Sequence, residues 1–183
     1  MKNNLTYTKT AIFLHWIMAF SFIGMLISGV FMANFMEGDP LRWTLYGWHK
    51  ASGILLLLTA TFRLIWRLIH KPPALPTCIP KLDQLASHLG HWTLYGLMFG
   101  IPLTGWIMSS AGGHPISMFR FFDWPEFPGV LGDKAIGGFS HSAHWMLGYA
   151  AIAVVSVHIL ALVKHKIFEG TSLLYRMGIG KKN

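Results

Sequence analysis

Three stretches of this chain carry no Asp, Glu, Lys or Arg: residues 10–36, 84–119 and 135–163, runs of 27, 36 and 29 residues. A helix needs about 20 apolar residues to cross the hydrocarbon core of a bilayer, so each run predicts a membrane span. Charged residues make up 12% of the chain against the roughly 25% of an average soluble domain, which argues against a water-soluble globule. A fourth span is predicted over Trp43–Trp66, because Lys50 and Arg63 flank the unbroken apolar stretch Ala51–Phe62 and can extend their charged ends to the interfaces. The expected fold is an all-α integral membrane protein: a four-transmembrane-helix bundle, residues 1–183 as one domain, with spans at about 12–33, 43–68, 88–109 and 140–163.

The net charge of +8 does not mark a nucleic-acid binder, because the cations follow the expected topology and no soluble domain carries them. Eleven lie on one side: Lys2, Lys9, Arg63, Arg67, Lys71, Lys81, Lys164, Lys166, Arg176, Lys181 and Lys182. Four lie on the other, Arg42, Lys50, Arg120 and Lys134, with five of the seven acids. The positive-inside rule then makes both termini cytoplasmic in a multi-pass membrane protein. The first apolar run is too long for a signal-peptide core of about 7–15 residues and reads as a retained span. Cys78 has no second cysteine to pair with and falls on the cytoplasmic side. Lys71–Lys81 holds four prolines and is expected to be extended; Pro102 is expected to kink the third span. The aromatic-rich Ala111–Phe139 is expected to lie along the outer bilayer surface.

Ten histidines fall mostly within or at the ends of the spans, where ionisable groups are costly and usually functional. His15 lies six residues from Lys9 and His158 six from Lys164, so both sit about 9 Å below the inner boundary. His49 and His144 fall at the outer level. His144 and His158 are fourteen residues apart, which at 100° per residue returns the side chain to within about 40° of the same face, about 21 Å along the axis. One helix face thus offers imidazoles at two depths, each with a partner on another helix. That is the arrangement for axial ligation of two haems, held without the Cys-x-x-Cys-His of covalent attachment. Spacing leaves other ligands open, since His91 falls near the inner level and His141 one turn from His144. Gly24, Gly29, Gly53 and Gly148 would let a macrocycle approach the backbone.

The pair His15-Trp16, the segment Gly47-Trp48-His49-Lys50-Ala51-Ser52-Gly53-Ile54, the exit Arg63-Leu64-Ile65-Trp66-Arg67 followed by prolines, Gly90-His91, and His144 and His158 with Lys164-His165 resemble the bacterial cytochrome b561 family over essentially the whole chain. The resemblance implies an inner-membrane di-haem b cytochrome. It implies iron ligation by His49 with His144 on the periplasmic side and by His15 with His158 on the cytoplasmic side. It also implies electron exchange with ubiquinone, and oxidation of periplasmic superoxide as in at least one member, an oxidoreductase activity of the superoxide:ubiquinone type.

On this reading Lys50, Arg42, Arg120 and Lys134 pair with haem propionates or attract an anionic periplasmic donor. His91, His165 and Arg67, with Lys71 at compatible depth, serve a quinone near the inner face. Membrane lipid is the surrounding partner. One alternative is a haem b subunit of a periplasmic dehydrogenase or hydrogenase. Another is a metal transporter using His88-x-x-His91 and His141-x-x-His144, against which stands the lack of carboxylates in the apolar centres of the spans.

Overall fold

The computed structural model describes residues 6–74, 79–168 and 173–180; Cys78, Lys2, Lys181 and Lys182 lie outside them. Four long helices form, three over the charge-free runs and one over the segment flanked by Lys50 and Arg63, and each continues past the apolar core: α1 Lys9–Asn34, α2 Leu41–Ile69, α3 Lys81–Ala111 and α4 Lys134–Phe168. The added turns come from capping. The Thr8 hydroxyl accepts from Ala11 N ahead of α1, and Asp39 Oδ1 accepts from Leu41 N at the start of α2. Asp133 Oδ1 accepts from the amides of both Ala135 and Ile136 and starts α4 six residues before the span expected from Ser140. Pro102 is accommodated inside α3.

Three of the helices are long and apolar enough to cross a membrane: α1, α2 and Lys134–Ile167 of α4. The segment 43–68, the one interrupted by charges, is among them. The third helix falls short of these three in mean hydropathy, although its charge-free run is the longest. His88, Gly90, His91, Thr93, Gly96, Gly100, Thr104 and Gly105 dilute its apolar content, so freedom from charge overstated its hydrophobicity.

Packing runs most extensively between α3 and α4, then between α1 and α2 and between α2 and α3. A core of Met18 and Phe22 from α1, Leu56 and Ala60 from α2, Tyr95, Leu97 and Met98 from α3 and Ala151 from α4 fills the bundle centre. Large apolar side chains cover the outside, among them Phe13, Phe20, Ile27, Leu68, Val157 and Leu160, the pattern of helices solvated by lipid.

The connection after α3, expected to lie along the bilayer surface, contains regular structure that the sequence did not announce. It folds into an antiparallel hairpin, β1 Ile116–Met118 paired with β2 Phe122–Trp124. Ile116 and Met118 pack on Ala51 and Ile54 of α2. Phe119 meets Trp48 edge-on and Phe127 meets Trp106, while Phe121 and Phe122 remain exposed. At the other end of the bundle a 3-10 turn, Leu173–Met177, returns under the helices. Arg176, only 4% exposed, donates to the carbonyls of Pro73 and Ala74 at 2.6 and 2.9 Å, and Trp16 Nε1 donates to Met177 O at 2.9 Å. Thus α1, the proline-rich connection and the tail are bound together.

Candidate functional site

His49 on α2 faces His144 on α4, with ring centroids 6.4 Å apart and ring planes at 75°. Each ring is held through Nδ1. Ser28 spends its single hydroxyl hydrogen on Met25 O at 3.0 Å, so its oxygen accepts from His49 Nδ1 at 2.9 Å. His144 Nδ1 donates to Ile101 O at 2.8 Å, since a carbonyl can only accept. These partners assign the proton of each neutral ring to Nδ1 and leave Nε2 with its lone pair uncommitted, the state in which imidazole binds a metal.

The spacing suits an iron between the rings. Two metal–nitrogen bonds of about 2.0–2.1 Å, with about 1.2 Å from each Nε2 to its ring centre, add to roughly 6.4 Å. Both rings border a cavity of about 950 Å³, within the range of roughly 300–1,000 Å³ that takes cofactor-sized ligands. Each helix contributes a glycine to its wall: Gly29, Gly53, Gly105 and Gly148. A Cβ on Gly105 would come within 3.1 Å of His144 Cε1, and one on Gly29 within 3.5 Å of His49 Cε1. Gly105 thus makes room for its imidazole, whereas a methyl on Gly29 would sit in ordinary contact with the His49 ring. Gly24 and Gly148 have open space beside them.

Three of the four outer cations, Arg42, Lys50 and Lys134, border this cavity, as does His141. Lys50 Nζ donates to Ser109 Oγ at 3.3 Å and Pro115 O at 3.0 Å, so it also anchors the segment leading into the hairpin. Arg42 donates to Tyr46 Oη at 3.2 Å, and its buried Nε has no partner among the described residues. An unused donor in a cavity wall suits a carboxylate such as a haem propionate. Arg120 stands apart, exposed on the hairpin turn with φ at 71°.

At the inner level the arrangement differs from a simple pair. The His158 ring contacts His91 of α3 at 5.5 Å between centroids, shorter than an iron between two rings requires. His15 is bonded to Arg63, whose Nη2 donates to His15 Nδ1 at 3.0 Å. His91 and His158 are both near enough to act electrostatically on His15. The donor set of three imidazoles and a guanidinium fits a haem with its propionates, but the proton of neutral His15 is then on Nε2, and iron ligation through that atom requires it to move to Nδ1. Arg67 lies over the rings of Tyr95 and Trp92 at 5.7 and 5.9 Å. His165 is buried near the inner end of α4, and Lys71 is exposed beyond α2.

The His-x-x-His pairs do not gather a metal-transport site. His88 Nε2 accepts from Trp92 Nε1 at 3.1 Å, and among the described residues no three of His, Cys, Asp and Glu converge on a metal position. Ser28, Ile101 and Gly105 were not legible as site residues. Nothing in the sequence ties the Ile101 carbonyl to His144, and Gly105 gains meaning only from the helix packed against it.

Membrane-length helices that hold two imidazoles, each protonated on the far nitrogen, beside a glycine-walled cavity define a haem-binding membrane cytochrome. The family model described as prokaryotic cytochrome b561 matches residues 6–180, and the chain belongs to that family of haem b electron-transport proteins. Cytochrome b561 homolog 2 of Escherichia coli K12 is 33% identical over 170 residues, which are 92% of this chain and 88% of the relative. The probable superoxide oxidase CybB of Yersinia pestis is 26% identical over 136 residues, 70% of this chain and 72% of the relative. Cytochrome b561 homolog 1 of Escherichia coli K12 is 26% identical over 175 residues, 93% of this chain and 96% of the relative.

Proposed function

We propose that this chain is a four-span, di-haem b cytochrome of the inner membrane, with both termini cytoplasmic, carrying electrons from a periplasmic donor to ubiquinone. The observation that carries the reading is the His49/His144 pair: two imidazoles held through Nδ1, with ring centres 6.4 Å apart, on a cavity with three cations in its wall. His49 and His144 would hold the outer haem, and His15 and His158 the inner one, once His15 has been released by Arg63. Haem b, when bound, supplies reversible one-electron redox chemistry.

The donor we favour is superoxide. Arg42, Lys50 and Lys134 on the outer cavity draw a small anion inward, and a relative carries the name superoxide oxidase. Two superoxide anions each give up one electron and leave as dioxygen; ubiquinone takes two electrons and two protons and leaves as ubiquinol. At the inner level His91 hydrogen-bonds a quinone carbonyl, Arg67 on its aromatic shelf of Tyr95 and Trp92 holds the ring's approach, and His165 lies on the proton route from the cytoplasmic side.

The test is a pyridine haemochrome assay on the purified chain, followed by stopped-flow mixing with superoxide and then with a soluble quinone. Two haems per chain, rapid reduction by superoxide and reoxidation by quinone are expected. One haem per chain defeats the di-haem reading. Haems that remain oxidised with superoxide but are reduced by a copurifying dehydrogenase make the chain a subunit of that larger complex.

A further inference from the structure

Among the described residues Arg63 is a cation without an anion. It lies half-buried near the inner end of α2, and no carboxylate among the described residues pairs with it; the ion pair described at this end joins Lys164 to Asp83 at 3.0 Å. Its guanidinium sits over the ring of Tyr95 at 5.8 Å, and Arg67, one helical turn on, sits over the same ring at 5.7 Å. Tyr95 is 5% exposed, so the two like charges share a shelf that water barely reaches. Like charges at this spacing oppose one another, and an oxyanion would relieve both.

Arg63 also donates to His15 Nδ1. A guanidinium only donates, so this bond holds the His15 proton on Nε2. For His15 to bind iron through Nε2, the ring must carry its proton on Nδ1 instead, and Arg63 must then find another acceptor. The outer histidines need no such exchange, because Ser28 and the Ile101 carbonyl already accept from Nδ1.

We propose that Arg63 is the seat of a haem propionate at the inner level, its guanidinium passing from His15 Nδ1 to the propionate carboxylate as His15 takes up iron. The inference rests on the reading of His15 as an inner ligand. It makes the two haem positions unequal: the outer is set for ligation in advance, and the inner is completed by the carboxylate that arrives with its own haem.

The test is reconstitution of the full, haem-depleted chain in nanodiscs with haem and with its dimethyl ester, which lacks the propionate charge, in the wild type, Arg63→Gln and Arg63→Lys. In the wild type the ester should bind the inner position about ten- to a hundredfold more weakly than haem, the scale of a lost charge-assisted hydrogen bond. In R63Q the preference for haem over ester should vanish, and R63K should restore part of it. Low-spin haem at the outer position in every variant reports that the bundle is folded. An inner-position preference for haem over ester that is the same in the wild type and R63Q overturns the proposal while leaving two haems in place. If that preference persists and the R63Q effect depends instead on anionic against zwitterionic lipid, the seat belongs to a phospholipid phosphate and the proposal fails. A chain that takes only one haem overturns both this proposal and the di-haem reading beneath it.

Discussion

His144 has almost no freedom of position. Its Nδ1 is bound to Ile101 O at 2.8 Å, and its ring occupies the space that a side chain on Gly105 would need. Gly105→Ala should therefore push the imidazole by a few tenths of an ångström and weaken haem binding at the outer position, whereas Gly24→Ala, with nothing within 4 Å of the added methyl, should leave it unchanged. Haem titration of the two variants decides it, and equal outer-haem affinity in G105A and G24A shows that the His144 ring is not confined by Gly105. Ser28→Ala takes away the acceptor that fixes the His49 tautomer. Loss of such a support costs about 10- to 100-fold in metal affinity, and titration of haem into the depleted protein should show that loss at the outer position alone. At this scale the sequence revealed which residue types matter and at what depth. Counting from Arg42 and Lys134 put His49 and His144 at one level, but that Ser28 stands behind one and Ile101 behind the other depends on how α1 meets α2 and α3 meets α4. The same limit hid Arg63, which counts as an interfacial cation in the sequence and turns out to hold His15.

Elements differ in how far their local chemistry announces them. The four helices were visible because lipid-facing helices are apolar over nearly their whole circumference. The early start of α4 was marked in the sequence only by Asp133, a capping residue ahead of two glycines that resemble loop. The hairpin gave no such mark. Its strands are three residues each, and its turn puts Phe119 and Arg120 at φ of 52° and 71° where glycine or asparagine would be expected. Packing of Ile116 and Met118 on α2, Phe119 on Trp48 and the Lys50 tether hold that turn in place. Arg120→Gly should therefore raise the thermal midpoint slightly, by relief of about 1 kcal/mol of backbone strain. The 3-10 turn offers the opposite test. Arg176→Ala removes the two charge-assisted bonds to the Pro73 and Ala74 carbonyls, a loss of about 2–3 kcal/mol, and should lower the midpoint by about 5–10 °C as followed by haem absorbance. An unchanged midpoint means the tail does not bind the inner face together.

On the proposed topology, charge is sorted by side across the whole molecule, and two measurements test that sorting. With eleven cations on one side against four on the other, Cys78 should react with a membrane-impermeant maleimide only after spheroplasts are permeabilised; labelling of intact spheroplasts reverses inner and outer throughout. Attraction of superoxide by Arg42, Lys50 and Lys134 should weaken as the Debye length falls from about 30 Å at 0.01 M to about 8 Å at 0.15 M salt. Lys134→Glu should slow reduction further at low salt and by less at high salt, whereas a rate indifferent to both argues against an anionic donor. The order of the helices has a consequence of another kind. On the proposed ligand set, each haem position takes its second histidine from α4, the last of the four helices to be synthesised, and Arg176 follows later still. While the nascent chain emerges, neither position can grip its iron with both ligands, and the cytoplasmic floor stays open. Haem capture is thereby deferred until the fourth helix has entered the bilayer, and a chain cut short before that point carries no complete redox centre that could leak electrons.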